Sequence, residues 1–154
     1  MKQGIPLSLR GVGIVALLCA SLGLTYNLTG LANSAVFRTP SHSQKFPFFF
    51  PAYYTMTAVC VICYLLLAIC GIQFLRGRVR WVLTFVPLMT FEVVYVFAIS
   101  ALWMSPSIGL SVGAATGVAN GGLLFQFLIW FPLWGSVLAC LAKRKLERRV
   151  EAIG

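Results

Sequence analysis

The chain has 154 residues, of which 60% are apolar and 10% charged, with a formal net charge of +9. A soluble domain carries roughly 25% charged residues, so the composition excludes one and points to a single membrane domain over residues 1–154. Nucleic acid is excluded as a partner by where the charges fall, because they flank the apolar runs and form no separate basic surface.

Lys2 and Arg10 precede the first apolar run, Gly11 to Leu31. The basic start followed by Ala32-Asn33-Ser34 has the outline of a cleaved leader. The apolar stretch outruns the usual h-region of about 7–15 residues, so it is expected to be a retained helix. The segment from Asn33 to Ala52 is the longest polar stretch and ends in Phe46-Pro47-Phe48-Phe49-Phe50-Pro51. Its two prolines should prevent a regular helix, leaving an aromatic belt along the outer interface. The second run extends from Tyr54 to Leu75, and Arg76-Gly77-Arg78-Val79-Arg80 ties it as a hairpin to the third, Trp81 to Trp103. Pro87 should kink the third helix, as Pro132 should the fourth.

Met104 to Asn120 carries Gly109, Gly113 and Gly117, a four-residue repeat that Gly121 continues. In a helix that spacing gives one smooth stripe for close helix contact. A single helix from Ile108 to Ala142 would be about 52 Å long, too long for a bilayer, so a break is expected near Asn120-Gly121-Gly122. The segment before it is read as a short outer or re-entrant helix, and the fourth run as Gly121 to Ala142. The runs hold 21 to 23 residues each, against about 20 needed to span hydrocarbon. Backbone groups cannot go unpaired in lipid, so the fold class is an all-α integral membrane protein, a four-transmembrane-helix bundle. If the helices alternate, ten basic residues fall on one side and only Arg38 and Lys45 on the other. That bias predicts cytoplasmic N and C termini in a cell membrane, with the bacterial inner membrane the expected one. The basic tail 143–154 suits anionic lipid headgroups.

Glu92 is the only acid before residue 147, eleven positions from each of Trp81 and Trp103. Tryptophan favours the headgroup level, which puts Glu92 near the bilayer midplane. An ionisable group there costs several kcal/mol unless paired or protonated, so it is the leading candidate for a proton or ligand site. Tyr64, Tyr95 and Ser21 lie at similar depth as hydrogen-bond partners. Asn27 and Gln126 fall in the outer halves of their helices and are placed to pair. The five cysteines all lie in apolar runs. Cys60 and Cys63 have CxxC spacing, yet an apolar span offers no accessible thiolate and no nearby His, so no catalytic residue, metal or cofactor is expected.

Two readings follow. One is a non-enzymatic accessory or scaffold subunit packing on partner membrane helices, or on copies of itself, through Gly109, Gly113, Gly117 and Gly121. The other is a small oligomeric proton-coupled transporter or channel using Glu92. The first is preferred, because no single span holds enough polar residues to line a path. The layout is similar to that of small multidrug-resistance transporters, which also carry one membrane-embedded Glu. Theirs lies in the first helix, so the likeness is of layout alone.

Overall fold

The computed structural model describes residues 7–34, 48–104 and 109–151. The helices run α1 (Leu7–Asn33), α2 (Phe49–Leu75), α3 (Val82–Trp103), α4 (Gly109–Ala119), α5 (Gly121–Leu128) and α6 (Phe131–Glu151). A 3-10 turn, Val79–Trp81, leads into α3. Three stretches, Leu7–Asn33, Phe49–Leu75 and Val79–Leu102, are long and apolar enough to cross a membrane. Counting α5 and α6 as one bent element gives a fourth. Residues 35–47, with Arg38, His42 and Lys45, lie outside the described residues, as do Lys2 and Ile153.

α1 and α2 form the tightest pair because glycine removes the side chains between them. A Cβ on Gly13 would stand 3.0 Å from the carbonyl oxygen of Gly71, and one on Gly71 would stand 2.9 Å from that of Gly13. Small residues of this kind let helix backbones approach closely in lipid. Next to this crossing Phe74, Phe85 and Phe131 meet edge to face, at 5.3 and 5.9 Å between successive rings. Since Phe74 closes α2 and Phe85 opens α3, this marks the basic end of the bundle, beside Arg76, Arg78 and Arg80.

α2 begins at Phe49, five residues before the expected start, and runs through Pro51. A proline in a first turn gives up only an N–H that has no helical partner there. The aromatic belt is corrected at the same point. Phe49, Phe50 and Tyr53 are buried against Ala115 and Ala119 of α4. Stacking at four-residue spacing, Phe49 on Tyr53 and Phe50 on Tyr54, holds the opening turns. α2 closes at Gly77, whose φ is 74°. There the Arg78 N–H donates to the Gln73 carbonyl at 2.9 Å and the Gly77 N–H to Phe74 at 3.0 Å, a Schellman closure. Gly77→Ala should cost about 1 kcal/mol, because a side chain disfavours this left-handed backbone. Unfolding in graded detergent mixtures would measure it, and an unchanged midpoint would contradict the assignment.

α3 continues through Pro87 as one helix. The stretch before Asn120 is helical, as expected, and the break at Asn120 is mild. Asn120 N–H still donates to Thr116, and Leu124 N–H to Asn120, both at 2.9 Å. The sharp break falls elsewhere. Residues 121–142 are not one helix: α5 ends at Leu128 and α6 leaves it at 62°. Trp130 carries the turn with φ 55°, unusual for a residue with a side chain. Its N–H donates to Phe127 at 3.0 Å. The Trp134 indole donates to the Ile129 carbonyl at 2.8 Å, covering an acceptor the helix end leaves open. Pro132 thus stands in the first turn of α6, where it starts a helix instead of kinking one.

Candidate functional site: the polar interior around Glu92

Glu92 is the eleventh of the 22 residues of α3 and has no solvent exposure. Neither carboxyl oxygen has a hydrogen-bond partner. Cys19 of α1 and Cys60, Cys63 and Tyr64 of α2 all lie within reach of its charge. Hydrogen bonds cap most buried polar groups in proteins, so a fully buried carboxyl with both oxygens unpaired calls for a reason.

The expected partners have separate fates. Tyr64 is fully buried and near Glu92, but its hydroxyl also has no partner. Its ring is fixed between α1 and α5, because a Cβ on Gly23 would overlap the ring and one on Gly122 the hydroxyl. Tyr95 makes no bond to Glu92 and instead donates to Asn120 Oδ1 at 3.1 Å. Ser21 lies on the exposed face of α1, whereas Cys19, Ala20 and Gly23 face inward.

Asn120 is the residue that the sequence presents only as a helix break. Its Oδ1 also accepts from the Cys60 thiol at 3.0 Å, and its Nδ2 lies 3.6 Å from Met56 Sδ. Thr116, one turn earlier, donates to the same sulfur at 3.8 Å. One side chain at the α4–α5 junction thus ties that junction to α2 and α3. Asn120→Leu should cost about 1–2 kcal/mol, given that interhelical polar bonds in membranes average below about 1 kcal/mol each. Tyr95→Phe should cost less than half as much. Equal losses in a detergent unfolding series would mean that the Tyr95 bond alone carries the contribution of Asn120, and that the Cys60 and Met56 contacts add nothing.

Asn27 and Gln126 do not pair. Asn27 Nδ2 donates to the Gly23 carbonyl of its own helix at 3.2 Å, leaving its Oδ1 unpaired. Gln126 is fully buried with both amide atoms unpaired. The glycine stripe divides in a similar way. Gly113 is buried and Gly121 packs on the Tyr26 ring, but Gly117 opens to empty space while its carbonyl accepts from the Tyr26 hydroxyl at 3.2 Å. Gly109 lies within α4, and its surroundings fall outside the described residues. The face of α4 that packs on α2 carries Ala115, Thr116 and Ala119.

The five cysteines are unbridged, four of them buried. Among the described residues, no three His, Cys, Asp or Glu side chains gather closely enough to hold a metal. Besides Glu92 in α3, four other helices bury polar side chains. Asn27 comes from α1, Thr57 and Tyr64 from α2, Thr116 from α4 and Gln126 from α5. No family model matches the chain, and no curated protein or solved structure matches it either.

Proposed function

We propose that this is a small multi-pass membrane protein whose Glu92 takes up and releases a proton within an occluded polar interior. Its action is that of an oligomeric proton-coupled transporter or channel. The observation that carries this reading is the unbonded carboxyl of Glu92, buried beside the equally unbonded Tyr64 hydroxyl. A carboxyl kept as a structural staple is expected to be hydrogen-bonded, and this one is not. The argument against transport, that no span is polar enough, weakens because five helices, α3 included, each bury at least one polar side chain. Basic residues at one end support a cytoplasmic orientation for it in a cell membrane, such as the bacterial inner membrane.

Infrared difference spectra of the protein in sealed vesicles test this directly. The carboxyl band should respond reversibly to a change of bulk pH and vanish in Glu92→Gln. A band indifferent to bulk pH on both sides of the vesicle would leave Glu92 with a purely structural role.

The accessory-subunit reading keeps one specific support. Ala114, Gly117 and Val118 form a small, exposed face of α4, open to a partner helix. A native-gel complex that survives in wild type and is lost in Gly117→Leu would favour it.

A further inference from the structure

We infer that α4 and α5 together make the fourth membrane crossing, and that α6 lies in the plane of the leaflet at the basic end, its cations on anionic lipid headgroups. Depth in the bundle is read from contacts with α1, α2 and α3, whose ends are fixed by their flanking residues. Near the far end, Ala115 and Ala119 pack on Phe49, Phe50 and Tyr53, the opening turns of α2. Lower down, Tyr26 meets Gly117 and Gly121. At mid-depth, Gly122 sits against Tyr64 and Gly23. At the basic end Phe131 meets Phe85, which in turn meets Phe74. The chain has therefore traversed the bundle by residue 131. Gly109–Leu128 contains 20 residues, about 30 Å of helix, which matches the hydrocarbon thickness. Its backbone bonding continues across Asn120.

α6 then has no depth left to cross. Its far half stays at the level of its start, because Cys140, Lys143, Arg144 and Glu147 line a cavity of about 400 Å³ with Val82, Leu83, Val86 and Pro87, the opening turns of α3. The 62° turn at Trp130 redirects the chain from crossing to lying flat. Trp81, Trp130 and Trp134 all stand at this end, as suits side chains that favour the headgroup level. Leu133, Val137 and Leu141 form an exposed apolar stripe at four-residue spacing. Beyond it come Arg144, Lys145 and Arg148, all exposed, whereas Lys143 pairs with Glu147 at 3.7 Å. An apolar stripe with adjoining cations is the pattern of a helix lying in an anionic interface.

Nitroxide labels report depth through the ratio of oxygen to water-soluble nickel accessibility. They are placed singly at Leu124, Leu133, Val137 and Leu141 in a cysteine-free variant. Leu124 should be deepest, with the three α6 sites shallow and alike. A gradient in which Leu133 is deepest and Leu141 shallowest would overturn the inference and restore α5 and α6 as the crossing. If the cysteine-free variant does not fold, quenching of Trp130 by brominated lipids reads the same depth, with Trp81, Trp103 and Trp134 changed to Phe. Bromines near the headgroup should quench best, and stronger quenching by bromines at the chain ends would overturn the inference. For the lipid contact, phosphatidylglycerol added to phosphatidylcholine vesicles should slow the label at Leu141, and the triple change Arg144→Gln, Lys145→Gln, Arg148→Gln should remove that response. Mobility insensitive to phosphatidylglycerol would eliminate the headgroup contact.

Discussion

Gly23→Leu should prevent the bundle from assembling, and Gly23→Ala should already cost about 2–3 kcal/mol. The added Cβ falls inside the Tyr64 ring, which is fully buried and has nowhere to turn. Inserting atoms into a closed core costs about 1–3 kcal/mol when neighbours can shift. Here the neighbour is a rigid ring held from the other side by Gly122, so the upper part of that range is expected. Gly122→Ala meets the same obstacle, because its Cβ would also stand 2.9 Å from the Gly23 Cα. Two comparisons isolate the cause. Gly11→Ala adds its carbon to open space and should leave stability unchanged. Tyr64→Leu combined with Gly23→Ala should recover much of the loss, as contacting residues are coupled. Retained helix content and an unshifted detergent unfolding midpoint in Gly23→Ala would show that α1, α2 and α5 do not meet at this point.

Glu92→Leu should stabilise the protein by about 1–3 kcal/mol. A buried polar group without a partner costs about that much, and an apolar side chain of similar size removes the cost. The sign separates the two roles. Were Glu92 a staple bonded across the bundle, leucine would destabilise by a similar amount. A more stable variant that has also lost the pH-responsive carboxyl band would fit a site kept for function at the expense of stability. Glu92→Gln should fall between these cases, keeping the volume and hydrogen-bonding capacity while losing the exchangeable acid.

The burial of Glu92 at the middle of α3 was legible because a lone acid between two equidistant tryptophans is rare in so apolar a chain. The surroundings of Glu92 were not. α1, α2 and α3 show almost no amphipathic periodicity, since lipid-facing and bundle-facing positions are equally apolar. With no polar face to mark the outside, nothing in the sequence distinguishes exposed Ser21 from buried Cys19, or tells which partner Tyr95 takes. Asn120 reads as a helix breaker beside two glycines, and only the packing of α4 on α2 and α3 makes it a hub for Cys60, Tyr95 and Met56.

The sequence by itself determined helical secondary structure and at least three helices long and apolar enough to cross a membrane. Long apolar runs in lipid must satisfy every backbone N–H and C=O internally, and only a helix does so. It also determined the basic end, because arginine and lysine flank the runs they cannot enter. Tertiary structure decided where the fourth apolar run divides. The left-handed turn at Trp130 carries no glycine to announce it, and it is held by the Trp134 indole on Ile129 and by Phe131 wedged beside Phe85. Those are contacts between separate helices and across a break, and hydropathy along one strand of sequence contains no information about them.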